Sequence, residues 1–261
     1  MEKVDFLITT MDRYNLLEEL LDSIFVYYPN AIITIADQSK DINTEFYMKW
    51  KDRNLRVFPL PYDCGLSFAR NVLVKETKQP YKLILEDDFL FTHDTVIEKM
   101  LALVDVGDII GGAVIKDGRR LKFEHYFKKE FETIYQIPDW DLYEFYNGIK
   151  FKKTGCVLNF FLAKEIVFED TLWHNELKLR EHQHFFYRVK NKIVFTPEVK
   201  IIDNKKNNSR NYQALKGRDE FWKIALEDLG AKKFKYQNGN CVEIEGDKII
   251  RYRENSLNIA I

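Results

Sequence analysis

Residues 83–91 read LILEDDFLF, three carboxylates set in an otherwise apolar run. A carboxylate removed from water costs several kcal/mol unless something compensates it, so Glu86, Asp87 and Asp88 must meet positive charge. The apolar residues before them predict a strand over 81–85, with the acidic trio at its carboxyl end. Strand alternation puts Glu86 and Asp88 on one face and Asp87 on the other. Two carboxylates on one face form a hard-oxygen site suited to Mg²⁺ or Mn²⁺, ions that leave coordination positions for phosphate oxygens. An ordinary solvated acidic turn is the plainer alternative, and the apolar flanks argue against it.

Outward from this tip the pattern alternates. Residues 4–9, 31–36, 56–60 and 108–115 read as further strands, and 16–25, 67–75 and 95–104 as helices. Such alternation predicts an α/β fold with a mostly parallel central sheet covered by helices on both faces. Ligands of such sheets bind beyond the carboxyl ends of the strands, where Thr9, Thr10, Asp37 and the acidic trio all fall. From 116 to 155 the periodicity weakens and aromatics crowd together. Residues 156–163 are apolar again, and 181–189 read as a helix. Turn signals at Asn238-Gly239 and Glu245-Gly246 predict a C-terminal β-hairpin. The expected organisation is a donor half over 1–115, an acceptor and catalytic half over 116–228, and an extension over 229–261.

Composition narrows the function. The chain of 261 residues is 46% hydrophobic, and 40 basic against 41 acidic side chains give a net charge of -1. That balance argues against a nucleic-acid partner. Cys64, Cys156 and Cys241 are an odd number without metal-like spacing, as in reduced cytoplasmic proteins. No leading apolar segment reads as a signal peptide, and no run approaches the roughly 20 residues of a membrane span. The expectation is a cytoplasmic protein whose membrane contact, at the inner face, is peripheral at most.

Further motifs share the order of the tip. GLSFARN (65–71) precedes it, and IADQS (35–39), GGAV (111–114) and LNFFLA (158–163) flank it. Together these resemble family-2-like glycosyltransferases with the GT-A fold and, within that group, β-1,4-N-acetylgalactosaminyltransferases of the ganglioside-synthase type. The resemblance spans roughly residues 4–204. It implies a UDP-sugar donor, a Mn²⁺ or Mg²⁺ cofactor, a glycan or glycolipid acceptor, and inverting transfer. It further implies that Thr9, Thr10 and Arg13 line the nucleotide pocket and that Asp37 meets the uracil or its ribose. An Asx-type turn with Gln38 and Ser39 would explain Asp37 equally well.

Within the same resemblance, Arg70 and Asn71 sit on the donor side. Arg70 would neutralise the diphosphate or clamp Asp87, unless it is a surface arginine. Asp88 is expected to ligate the metal directly. Glu86 departs from the usual aspartate and would reach the metal, its water or the ribose. Related enzymes often carry a histidine ligand after a late strand, where this chain has Asp203 and Asn204. The resemblance places the catalytic base in 177–186. Glu181 is the first choice, with His184 and then His182 as competitors and a helix-dipole role for Glu181 as the alternative. Asn159 would bond the donor sugar or satisfy backbone groups. Trp140 and Trp173 are acceptor platforms unless they are core. Lys206, Arg210 and Arg218 form a cationic lid over the diphosphate, or serve solubility. A nucleotidyltransferase would carry a glycine-rich loop after the first strand, and residues 9–13 contain none. Glu86 and Asn204 are the features that would fit a non-catalytic glycan-binding relative.

Overall fold

The computed structural model describes residues 2–204 and 219–254. Strand β1 (Val4–Thr10) is buried along its whole length, as a central strand covered on both faces must be. Helix α1 (Tyr14–Tyr27) follows, and its buried stripe is Leu16, Leu17, Leu20, Leu21, Ile24 and Phe25. Next come β2 (Ile32–Asp37), the short α2 (Thr44–Met48) and β3 (Leu55–Pro59). Helix α3 (Leu66–Glu76) opens after Gly65, β4 (Tyr81–Glu86) carries the acidic tip, and β5 is Phe89–Leu90. The helix expected over 95–104 is only α4 (Ile97–Leu101), and β6 spans Ile109–Lys116.

The aromatic-rich middle is a series of short strands: β7 (Arg119–Arg120), β8 (His125–Glu130), β9 (Thr133–Pro138), β10 (Glu144–Tyr146) and β11 (Ile149–Lys153). Then follow β12 (Phe161–Lys164), α5 (Ile166–Asp170), α6 (Glu181–Arg188) and β13 (Ile193–Asp203). The last described elements are α7 (Glu220–Asp228), β14 (Lys233–Lys235), β15 (Asn240–Glu245) and β16 (Lys248–Arg253).

The large sheet runs in the order β10-β11-β13-β6-β12-β4-β1-β2-β3. Strands β3, β2, β1 and β4 are mutually parallel, and β6 and β13 form a second parallel pair. Antiparallel β12 lies between the two sets, so the sheet is mixed rather than parallel throughout. One face carries a core that includes the α1 stripe, and the other buries Ala69 and Leu73 of α3, Val167 of α5 and Phe185 of α6. The end of β13 pairs antiparallel with β5, with Asp203 opposite Phe89, which brings the late strand to the acidic tip.

The expected C-terminal hairpin is β15-β16, turning at Gly246 with φ 59°. It is not a free extension. Through β14 it joins β9 and β8 in a five-stranded sheet, closed underneath by Trp222 and Leu226 of α7. Among the described residues no helix is long and apolar enough to cross a membrane.

Candidate active site

The charge that the acidic trio meets is arginine, twice over. Strand β4 ends at Glu86 and residues 87–88 form a turn, so alternation stops before the trio does. Asp87 and Asp88 both reach Arg13, and Glu86 faces elsewhere, which reverses the expected pairing of Glu86 with Asp88. Arg13 donates from Nε to Asp87 Oδ2 at 3.1 Å, from Nη2 to Asp87 Oδ1, and from Nη1 to Asp88 Oδ2 at 3.2 Å. Thr10 adds its hydroxyl to Asp87 Oδ2 at 2.8 Å. Both threonines are buried, and Thr10 therefore supports the turn rather than opening toward a nucleotide.

Arg70 does not clamp Asp87, and it is not on the surface. It is 1% exposed, lies with its guanidinium 5.6 Å from the Trp173 ring centroid, and donates from Nη1 to Glu181 Oε1 at 2.9 Å. Its Nη2 lies 4.0 Å from Glu86 Oε1. Among the described residues, Nε and Nη2 have no hydrogen-bond partner. The Glu86 side chain, 30% exposed, accepts from Asn159 Nδ2 at 2.9 Å. One buried guanidinium thus connects the expected base with the donor-side carboxylate.

The GLSFARN segment explains how that connection is held. Gly65 has φ +99°, and a Cβ there would come within 2.6 Å of Lys178 Cγ, so only glycine lets the two segments close. Ser67 Oγ donates to the Leu177 carbonyl at 2.6 Å. Asn71 Nδ2 donates to the Trp173 carbonyl and to Asn175 Oδ1, both at 2.7 Å, and its Oδ1 accepts from Trp173 N at 3.0 Å. Asn71 is therefore a clamp on 173–175, not a donor contact. Helix α3 grips the chain from 173 to 178 and so fixes Glu181, the 5% exposed first residue of α6.

Other expected residues move to supporting roles. Trp173 is 3% exposed and stacked on Phe185 at 4.3 Å, which removes it as a sugar platform. Trp140 stands 71% exposed. His184 is not placed as a base: it is buried, and its Nε2 meets Asp228 of α7 at 2.7 Å. Burial lowers its pKa from the usual histidine value. His182 is pushed down to about 3, first by burial and then by the charges of Arg70 and His125. A ring so unwilling to take a proton is a poor general base at neutral pH.

Asp37 is fully buried, and its carboxylate is enclosed. Oδ1 accepts from Ser39 N at 2.9 Å, forming the Asx-type turn, and Oδ2 accepts from the hydroxyls of Tyr14 and Tyr47, both at 2.7 Å. The uracil contact expected of Asp37 is thus replaced by a structural one. Tyr14 and Tyr47 were missed because nothing in their spacing ties them to Asp37. Gln38 was read only as a turn residue, yet its Oε1 accepts from Gly65 N at 2.8 Å and joins the second strand's tip to α3.

Asn204 arrives beside Asp88, its N donating to the Asp88 carbonyl at 2.8 Å, and its side-chain nitrogen donates to Glu19. Asp203 pairs with Lys116 at 3.3 Å. Among the described residues, no group of three or more His, Cys, Asp or Glu side chains is arranged to hold a metal ion. What the tip offers is smaller: the Asp88 carboxylate, 1% exposed and bonded to Arg13, with the Asn204 backbone held against the Asp88 carbonyl. A magnesium-like ion takes one or two protein carboxylates and fills its shell with phosphate and water, so at this tip it would share Asp88 with Arg13. Lys206, Arg210 and Arg218 lie outside the described residues.

With this geometry in hand, comparison with known proteins is direct. A model described as "Glycosyl transferase family 2" matches residues 5–168, more than half of the chain. The chain belongs to glycosyl transferase family 2. The match covers β1 through β12 and includes both arginines and the whole acidic tip. Beta-1,4 N-acetylgalactosaminyltransferase 2 of Mus musculus is 28% identical over 161 residues, 59% of this chain and 29% of that protein. Human beta-1,4 N-acetylgalactosaminyltransferase 1 is 31% identical over 114 residues, 40% of this chain and 19% of that protein. The chain thus spans less than a third of these relatives.

Among solved structures, S. aureus TarS 1-349 in complex with UDP-GlcNAc superimposes with a TM-score of 0.64 at 15% identity, covering 87% of this chain and 65% of that one. Another TarS structure gives a TM-score of 0.57 at 16% identity, covering 76% and 36%. At such identity the likeness establishes the fold, and the family 2 chain has the GT-A architecture that its motifs implied.

Proposed function

We propose that this chain is an inverting glycosyltransferase that moves an N-acetylhexosamine from a UDP-sugar to a hydroxyl of a glycan or glycolipid. The observation that carries the reading is the buried Arg70, bonded to Glu181 and 4.0 Å from Glu86, which sets a base at a fixed distance from the donor-side carboxylate. The names of the N-acetylgalactosaminyltransferase relatives and the UDP-GlcNAc bound to TarS favour the sugar class.

In this reading Glu181 accepts the proton of the acceptor hydroxyl while that oxygen attacks the anomeric carbon opposite the nucleotide. The new carbon–oxygen bond forms as the bond to the diphosphate breaks, and the electron pair leaves with UDP. Arg70, bonded to Glu181 and 4.0 Å from Glu86, holds the two carboxylates in fixed relation as negative charge develops on the donor. Arg13 holds Asp87 and Asp88 in the turn so that Asp88 keeps its place. Asp88 would hold Mn²⁺ or Mg²⁺, which supplies charge neutralisation at the departing diphosphate.

The test is a thermal-shift and transfer screen across UDP-, GDP-, CMP- and dTDP-sugars, each with and without Mn²⁺. UDP-N-acetylhexosamines with Mn²⁺ should stabilise the fold, by about 2.7 kcal/mol at a hundredfold excess over Kd. Removing the metal should cut most of that gain. Absence of both stabilisation and UDP release with every donor would overturn the reading.

A further inference from the structure

His182 competes for the role of base in the sequence, and its surroundings in the structure deny it that role while giving it another. The ring is wedged between Phe123 and Phe186, with centroids 5.0 and 4.9 Å away. Its Nδ1 lies 2.7 Å from Asn159 Oδ1, and its Nε2 lies 3.6 Å from Cys156 Sγ. Asn159 in turn donates from Nδ2 to Glu86 Oε1 at 2.9 Å.

The direction of the bonds from Glu86 to His182 Nδ1 is determined from the acidic end. A carboxylate only accepts, so the carboxamide must present its nitrogen to Glu86 and its oxygen to His182. That oxygen also only accepts, so His182 must carry its proton on Nδ1. Nε2 then faces the Cys156 thiol, which also donates to the Val157 carbonyl at 3.8 Å. Burial raises the Cys156 thiol pKa well above the ordinary value, which keeps the S–H proton in place. The same burial, with Arg70 and His125 nearby, keeps the imidazole neutral.

We propose that His182 is a positioning residue, whose Nδ1–H fixes the orientation of the Asn159 carboxamide and thereby the carboxylate of Glu86. Without that donor Glu86 alone orients the carboxamide, whose oxygen loses the hydrogen bond that anchors its other end. The bond direction stands on geometry alone, and its effect on turnover rests on the glycosyltransferase reading above. Glu86 then meets the donor in one orientation, with Asn159 on one side and Arg70 on the other.

Two measurements on the full chain test this. Long-range ¹H–¹⁵N imidazole spectra at neutral pH, with the His182 signal assigned by its loss in His182→Phe, should show a neutral ring protonated at Nδ1. A ring protonated at Nε2, or doubly protonated, overturns the proposal whether or not the chain transfers sugar. In kinetics, His182→Phe should raise the donor KM about tenfold, the scale of losing a hydrogen bond to a charged group, with kcat changed far less. His182→Asn, whose amide nitrogen can stand where Nδ1 stood, should restore most of that loss. In a Glu86→Ala background, His182→Phe should add little further effect. An unmoved donor KM, or full additivity with Glu86→Ala, overturns the proposal. Wild-type chain that turns over no donor would instead remove the glycosyltransferase reading and leave the spectra to decide the relay.

Discussion

Two arginines compensate one acidic tip, and they do so differently. Arg13 follows β1, keeps 13% of its side chain exposed, and bonds both Asp87 and Asp88. Arg70 lies in α3, is 1% exposed, and makes a single short ion pair, with Nε and Nη2 lacking hydrogen bonds among the described residues. The first arrangement engages all three guanidinium nitrogens of Arg13 with the two carboxylates and holds a turn in shape. The second leaves buried donors beside a part-exposed carboxylate, an arrangement that is costly unless a ligand completes it. Complete hydrogen bonding thus marks the scaffold, and incomplete hydrogen bonding marks the place where chemistry is expected.

The contrast breaks most readily at Arg70. Arg70→Met should abolish transfer and lower stability by about 3–5 kcal/mol in urea unfolding, because Glu181 loses its buried partner. Stability within 1 kcal/mol of wild type would mean that the pair has no special role. Glu181→Gln keeps the shape and removes the proton acceptor. It should cut kcat by about 10²–10⁴, with donor KM nearly unchanged.

The Arg70 side also holds the acid-sensitive groups. Native His182 resists protonation down to about 3 and His125 to about 4, while the unfolded chain takes up those protons near the ordinary histidine value of 6.5. The unfolded state therefore binds more protons below 6.5. Stability should fall as pH drops from 6.5 toward 4, by up to about 1.4 kcal/mol per unit for each histidine. His182→Phe should flatten that slope, as followed by melting temperature against pH. The smallest effect is expected at Arg13. Arg13→Lys keeps the charge and loses the forked contact, so it should cost about 1–2 kcal/mol and shift the Mn²⁺ dependence of turnover more than kcat.

The alternating first half was readable because its strands are buried apolar runs and its α1 stripe has helical period. The acidic tip stood out as a place needing compensating charge, three carboxylates being conspicuous among leucines and phenylalanines. The faces of the trio were not, because the alternation rule holds only within a strand and β4 stops at Glu86. The partners of Arg70 and Asn71 lie more than 100 residues ahead in sequence, and no local pattern encodes such pairings. Trp173 and His184 failed as site residues for a related reason, since a helical or aromatic pattern does not say which neighbour will bury it. The middle segment yielded little because β8 to β11 are short and partly exposed, so their hydrophobic alternation is faint.

The grip of α3 on residues 173–178 carries a lesson for recombination. A chimera that exchanges the second half of the chain with a cousin's, joined anywhere between 77 and 172, would pair one parent's Ser67 and Asn71 with the other's loop. Glu181 would then hang from a mismatched anchor even though each parental piece remained intact. Exchanging the second half of this architecture therefore requires transplanting the third helix together with the loop it holds.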